Sequence, residues 1–514
     1  MLNKQYKVGA VLSYLSMFIG NIIGILYTPI MLRMLGQEEY GLYSLVGSMI
    51  AILNLVDLGF GNACIRYISK YRALGNKEKE YSVSGMFLLI NTAISIFAVI
   101  FGLIFHQVSD ELFNHSLSPE ELEKFNLMFL ILVFNLAISF PFSVFGSIIV
   151  SYEMFIFPKV IGIIRTLINP IVILTVLYMG YDSLGMVIAN TVLNVLFLWV
   201  NVYYCFKKLH IKLYFKNFDF KLLKEISVYS FFIFIAIIVD KIYWTTDQFI
   251  LGIYSGTVAV SIYAIASQIN MYYMQFSTAI SGMFLPKVTA LVTKETDEKA
   301  LTDLFIKIGR IQYVILGLIL SGLILFGKEF IVLWAGSEYR DAYLIALILV
   351  VPFTIPLIQN IGLSILQAKN MHKFRSVVLI FIALGNLIIS IPLAQKFGGI
   401  GSASGTAISM IIGNILVMNI YYYKKIKINI PKFWMEITKM SIPIGLCLGL
   451  GIIIDKIGYG IIPLILKICI YTVIYSLLMY HIGMTRFEKE LFVSPVKGLM
   501  NKVRGNYKAS KVNG

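Results

Sequence analysis

Apolar residues run along this chain in long blocks broken by short polar segments, without the close alternation of a half-buried soluble helix or strand. Blocks of about 18 or more such residues are long enough to cross a bilayer as helices. They lie near 8–32, 43–67, 82–105, 125–150, 158–178, 184–206, 226–252, 258–284, 304–327, 342–366, 376–394, 399–423, 440–457 and 461–482. The pattern predicts an all-α polytopic membrane protein with about fourteen transmembrane helices. The first block has no small-residue cleavage site in a polar flank, so it is expected to be a spanning helix and not a removable signal peptide.

Composition agrees with this reading. Of 514 residues, 58% are hydrophobic and only 14% charged, and mean hydropathy is +0.83. The net charge of +16 would suit nucleic acid in a soluble protein. Here its distribution gives topology instead. With the N-terminus inside, the inside segments hold 31 Lys and Arg and the outside segments six. This asymmetry predicts cytoplasmic N- and C-termini, and no nucleic-acid partner. The longest outside loop, Gln107 to Glu123, is acidic.

A repeat is legible. Glu39-Tyr40-Gly41-Leu42-Tyr43 opens the second block and Val260-Ser261-Ile262-Tyr263 the eighth, each after a Leu-Gly pair, Leu35-Gly36 and Leu251-Gly252. A six-block offset predicts two parallel, pseudo-symmetric six-helix lobes plus two C-terminal helices. The expected boundaries are 1–206 for the N-terminal lobe, 207–225 for a cytoplasmic loop between lobes and 226–423 for the C-terminal lobe. Two additional transmembrane helices follow over 424–482, then a basic cytoplasmic tail over 483–514. Pro29, Pro141, Pro170, Pro352, Pro356, Pro392 and Pro443 fall inside blocks, where each removes a backbone hydrogen bond and favours a kink.

Charges inside blocks single out candidate chemistry, because a charge at the bilayer centre costs roughly 3 kcal/mol or more. In the seventh block Asp240, Lys241, Trp244, Thr245, Asp247 and Gln248 fall within about 160° of a helical wheel. In the second block Asn54, Asp57 and Gly61 share one face, and Gly59, Asn62 and Arg66 a neighbouring one. Arg165 lies in the fifth block with Asn169 one turn on. Two readings stand side by side: a shared cavity for cargo and coupling ions, or ion pairs that hold helices together. Lys307, Arg310 and Lys467, nearer helix ends, are read as structural.

Other motifs carry less. Gly322 to Glu329 imitates a P-loop but ends in Glu and lies at the end of a transmembrane block. Gly399-Ile400-Gly401-Ser402-Ala403-Ser404-Gly405 reads as small residues for close helix packing. The four cysteines, Cys64, Cys205, Cys447 and Cys469, sit in apolar blocks without metal-ligand spacing and are read as buried thiols. The five histidines are scattered, so no metal and no catalytic residue is expected. Short loops leave no room for a soluble catalytic domain, and no enzyme is expected.

Tyr27-Thr28-Pro29, Leu35-Gly36-Gln37-Glu38-Glu39-Tyr40-Gly41-Leu42-Tyr43, Leu55-Val56-Asp57-Leu58-Gly59-Phe60-Gly61-Asn62-Ala63 and Asp247-Gln248-Phe249-Ile250-Leu251-Gly252 together resemble bacterial polysaccharide transporters of the O-antigen and capsule flippase type. These lie within the superfamily of multidrug exporters and the lipid II flippase. The resemblance implies a bacterial cytoplasmic membrane, two six-helix lobes around a central cavity and alternating access for an undecaprenyl-diphosphate-linked oligosaccharide. Its partners would be membrane lipids and the polymerase and glycosyltransferases of the same pathway. The basic residues in the first helix of the lipid II flippase have no counterpart between Lys7 and Arg33. In this reading Lys241, Arg165 and Arg66 bind the diphosphate, with Trp244, Gln248 and Asn62 as further cavity residues. Asp57, Asp240 and Asp247 are candidates for coupling to H+ or Na+, with no other cofactor. A cation-coupled drug or metabolite exporter of the same fold, and a membrane polysaccharide polymerase or ligase, are the alternatives.

Overall fold

The computed structural model describes residues 2–57, 60–215, 223, 245–293, 298–369 and 371–491. All regular structure among them is helical. The first helices are α1 (Leu2–Leu35), α2 (Gln37–Leu53), α3 (Phe60–Ala73), α4 (Lys77–Phe113), α5 (Pro119–Ser151), α6 (Ile156–Tyr178) and α7 (Ser183–Lys207). Then come α8, described over 245–254, α9 (Gly256–Thr293), α10 (Glu298–Trp334), α11 (Ala342–Ile358), α12 (Ile361–Ala368) and α13 (His372–Met410). The last are α14 (Met418–Tyr421), α15 (Ile430–Ile454) and α16 (Ile461–Leu478).

Among the described residues nine helical stretches are long and apolar enough to cross a membrane, or ten if α11 and α12, bent by 45°, count as one span. One of the nine, Phe374–Ile426, contains two of the expected blocks. The chain is thus a polytopic helical membrane protein, as its hydrophobic pattern predicts.

Two blocks depart from simple rods. The second, read from sequence as continuous, breaks after Leu53 into a 3-10 turn, Asn54–Asp57, before α3 begins at Phe60. Asn54 turns its side-chain amide back to the Ile50 carbonyl at 3.0 Å, a local bond that competes with helix continuation. Asn54 and Asp57 therefore lie in the 3-10 turn and Gly61 in α3, and not on one described α-helix. α13 folds back at Gly398 (φ 56°, ψ −134°), between the expected blocks 376–394 and 399–423. A Cβ on Gly401 would lie 1.9 Å from the Leu393 carbonyl oxygen, and one on Gly405 2.3 Å from Ser390 Oγ. The small-residue run thus lets the two arms of α13 touch.

The chain divides into two compact units. Unit 1 comprises Met1–Ser267, Trp334–Ile345 and Leu379–Ser409; unit 2 comprises Gln268–Leu333, Ala346–Val378 and Met410–Gly514. In unit 1, Ser118 and Glu121 form a reciprocal capping box with Pro119 opening α5, and Asp182 caps α7. Lys124 ties these starts together, 2.5 Å from Glu39 and 2.6 Å from Asp182. Burial alone would push the Asp182 carboxyl up, but its bonds from Lys124 and the Leu184 N–H outweigh that and hold it below the usual carboxylate range.

The repeat register is clearer in the backbone than in the sequence. The glycines with left-handed φ that open α2 and α9 are Gly36 (φ 81°) and Gly256 (φ 79°), so the counterpart of Gly36 is Gly256 and not Gly252. Each stands seven residues before a tyrosine, Tyr43 and Tyr263. Only glycine takes this conformation without a Cβ clash, which fixes the turn. Gly252 serves close packing instead: a Cβ there would lie 2.2 Å from Leu45 Cδ1.

In unit 2, α15 and α16 are not a loose appendix. Phe326 and Val314 of α10 share a core with Met440, Ile444, Cys447, Tyr471 and Tyr475. Tyr475 donates to the Val314 carbonyl at 2.9 Å. Glu329, the final position of the false P-loop, receives Lys467 at 2.6 Å, and Asp455 holds the same ammonium at 3.1 Å. Arg310 is buried against Glu488 (2.7 Å), Glu436 (2.9 Å) and the Gly483 carbonyl (2.7 Å). Cys64, Cys205 and Cys447 are buried; Cys469 is exposed, contrary to the expectation, because α16 turns that side away from the core.

Candidate functional site

Asp247 is 2% exposed and sits in the packed interior of unit 1, not on an open polar face as the helical wheel suggests. Three hydroxyls converge on its carboxylate. Ser402 donates to Oδ1 at 2.7 Å, Thr406 to Oδ2 at 2.7 Å, and Tyr263 to Oδ2 in a short bond. Thr406 Oγ1 is also 3.0 Å from Asn386 Oδ1, which accepts from Ser390 at 2.5 Å; Ser390 Oγ lies 3.2 Å from the Ser402 carbonyl. The fold of α13 at Gly398 is what lays Asn386 and Ser390 of one arm beside Ser402 and Thr406 of the other.

Proton counting defines what the cluster can do. Thr406 has one hydroxyl hydrogen but two acceptors within reach, and Ser390 likewise. With Asp247 ionised, the group carries more acceptors than hydrogens. Among the described residues no Lys or Arg forms an ion pair with Asp247, so none of them offsets a buried negative charge there. A proton on Asp247, donated onward to Thr406, frees the Thr406 hydrogen for Asn386 and removes one of the two conflicts, leaving that at Ser390.

Unit 1 holds a second polar cluster. Asn169 of α6 donates to Asn190 of α7 at 2.6 Å, and Asn190 donates to the Tyr43 hydroxyl at 3.3 Å. Deeper along α7, Asn194 donates to Asn135 at 2.7 Å and to Ser139 at 2.8 Å. Arg165, one turn before Asn169, is exposed, with its guanidinium carbon 5.9 Å from the centre of the Phe197 ring. Asn62 and Arg66 are exposed on α3, and Arg66 lies 5.8 Å from the Tyr67 ring. Gln248 is half-buried beside Asp247. Asp240, Lys241 and Trp244 lie outside the described residues, as does the side chain of Asp57.

The residues that complete the Asp247 cluster were not singled out from sequence. Tyr263 stood inside the repeat motif, Ser402 inside the small-residue run, and Asn386 and Ser390 were four residues apart on one predicted helix. Their signal was polarity in apolar blocks, shared with many helix-bonding Ser and Thr side chains.

Residues 8–292 match the polysaccharide biosynthesis protein family, and the chain belongs to it. It is 22% identical over 399 residues to a Shigella flexneri protein named as an O-antigen transporter, covering 76% of this chain and 91% of that one. Over 178 residues it is 29% identical to a protein of Haloferax volcanii named as a probable flippase, AglR, covering 34% and 36% of the two chains. Its fold is that of the lipid II flippase MurJ in an inward closed conformation, with a TM-score of 0.72 at 17% identity, over 95% of this chain and 99% of that one. An inward-facing multidrug resistance transporter of the MATE family matches with a TM-score of 0.64 at 15% identity, over 79% of this chain and 95% of that one.

Proposed function

We propose that this protein is a flippase and not an enzyme. It moves undecaprenyl-diphosphate-linked oligosaccharide repeat units across the cytoplasmic membrane by alternating access, for surface polysaccharide biosynthesis. The observation that carries this reading is a flippase-like fold over 95% of a chain that belongs to a polysaccharide biosynthesis family. In this reading both termini are cytoplasmic and two six-helix lobes, 1–206 and 226–423, enclose the cargo path.

Asp247 is the coupling residue. Its oxygens are held by α9 through Tyr263 and by α13 through Ser402 and Thr406, so loading a proton or Na+ changes which hydrogens hold these helices to α8. A loading step of this kind biases the equilibrium between two conformations only through its different affinity for each. The exposed guanidinium groups of Arg165 and Arg66 suit contact with a diphosphate. Lys241 and Trp244 complete the proposed cargo contacts, and the polymerase and glycosyltransferases of the pathway are the proposed partners.

The test is a deletion strain in which the leaflet of the lipid-linked repeat unit is read with a membrane-impermeant sugar oxidant on spheroplasts. Repeat units should become inaccessible from outside and accumulate. Unchanged outside labelling without this protein sinks the proposal. The likeness to a multidrug resistance transporter favours a second reading, cation-coupled export of small molecules. Uptake of a fluorescent cation into inverted vesicles, driven by an ion gradient and dependent on this chain, would replace the first reading with that one.

A further inference from the structure

Unit 2 contains a small, partly open cleft lined by Gln359, Asn360, Leu363, Arg375, Asn414 and Tyr422 among others. It forms where α11 and α12 part at a 45° bend, beside the first turn of α13 and the π-helical turns Ile411–Val417 and Tyr422–Ile426. Two prolines in α11, Pro352 and Pro356, precede the bend. The wider π turn carries Asn414 at the cleft. Such turns inside α-helices frequently mark functional sites.

The cleft's cation differs from the two buried cations of the unit. Arg310 and Lys467 are each held by two carboxylates. Arg375 is the one charged residue of the cleft lining, which includes no carboxylate, and among the described residues no carboxylate pairs with it. The other polar groups of the lining, Gln359, Asn360, Asn414 and Tyr422, are neutral. Gln359 is fixed by an amide pair with Asn419 at 2.9 Å, and Trp434 donates to Asn419 at 3.1 Å. A guanidinium among amide and phenol donors matches the geometry and charge of a phosphate oxygen set.

We infer that this cleft is a binding site for a phosphate or diphosphate group. The distribution of Lys and Arg assigns Lys369, Lys373, Lys424 and Lys425, which flank it in sequence, to the cytoplasmic side. Two sources share this chemistry: the headgroup of an anionic lipid in the inner leaflet, or free phosphate or pyrophosphate. The site shares no residue with the Asp247 cluster and does not depend on the cargo proposed above.

The test uses the full chain in phosphatidylcholine nanodiscs, titrated with pyrophosphate by calorimetry. A parallel set contains phosphatidylglycerol, with retained lipid counted by native mass spectrometry. Arg375→Gln should lower binding by about tenfold or more, Arg375→Lys should keep part of it, and Asn414→Ala should cost several-fold. Binding of pyrophosphate in neutral discs assigns the free ligand; binding confined to phosphatidylglycerol discs assigns the headgroup. If wild type binds neither probe, or Arg375→Gln binds both as wild type does, the proposal is overturned. Should Arg375→Gln fail to fold, Asn414→Ala, which keeps the charge, decides by the same comparison.

Discussion

Tyr263 of α9 donates its phenolic hydrogen to Oδ2 of Asp247, sixteen residues earlier on α8. The pair has a partial counterpart in the first half. Tyr43 stands seven residues after Gly36, as Tyr263 does after Gly256, and its hydroxyl accepts from Asn190. Nine residues before those glycines stand Tyr27 and Asp247. The two copies keep the tyrosine and differ in the residue beside it. Only the second copy has a carboxylate there, so the proposed coupling residue has no acidic counterpart in the first half.

Asp247→Asn keeps the shape of the side chain and removes its ability to change charge. Flipping is expected to fall at least tenfold with membrane abundance unchanged, and to lose its dependence on the driving ion. Tyr263→Phe removes one donor to the carboxylate, a bond worth about 1.5–3 kcal/mol, and should shift the ion or pH dependence without abolishing transport. Outside labelling of repeat units across pH and Na+ concentration reads both. Wild-type behaviour of Asp247→Asn in that assay removes Asp247 from coupling.

Gly41 meets the start of α9 closely: a Cβ there would lie 2.0 Å from the Thr257 carbonyl oxygen. Backbone cannot swing aside as a flexible side chain does. Gly41→Ala should therefore destabilise the protein by about 1–3 kcal/mol or more, seen as a lower melting temperature in detergent. Gly47→Ala, with nothing within 4 Å, is the control and should leave melting within the scatter of wild type.

Glu488 holds the segment after Gly483 to Arg310. Burial alone would raise its carboxyl, but the bonds from Arg310 and the Thr485 N–H outweigh that and lower it below the usual glutamate range. A depressed folded value means that the contribution is present above the ordinary glutamate pKa, about 4.3, and lost as pH falls through the folded value. Hydrogen exchange over 484–491, corrected for intrinsic rate, should stay protected at neutral pH and open only in stronger acid. Glu488→Gln should abolish that pH response, and Arg310→Gln should open the segment at all pH, at a cost of about 3–5 kcal/mol.

Lys467 is 2% exposed between Glu329, 10% exposed, and Asp455, 49% exposed by side chain. Lys467→Met strands Glu329 in the core, whereas Asp455 can turn to water. The single variant should lose about 3–5 kcal/mol, and Lys467→Met with Glu329→Met should regain most of it. Equal melting temperatures of the single and double variants would show that Glu329 is not the partner that matters.

The sequence determined the class of this protein by itself. Bilayer thickness imposes a minimum length on every spanning helix, so apolar blocks can be counted without knowing what they touch, and the topology signal in Lys and Arg is equally local. Asp247 was legible as an anomaly for the same reason, being an acid inside such a block. What it touches was not legible. Ser402 and Thr406 lie 155 and 159 residues away, and they reach Asp247 only because α13 reverses at Gly398 and its small residues let the arms meet. The helical wheel placed Asp247 on a polar face with Asp240 and Lys241, yet packing encloses it among hydroxyls. The repeat was visible in the tyrosines, but its register was decided by two left-handed glycines. Helix periodicity depends on neighbours along the chain, whereas a buried carboxylate's partners depend on how helices pack. The tertiary structure alone turned a misplaced charge into a candidate site.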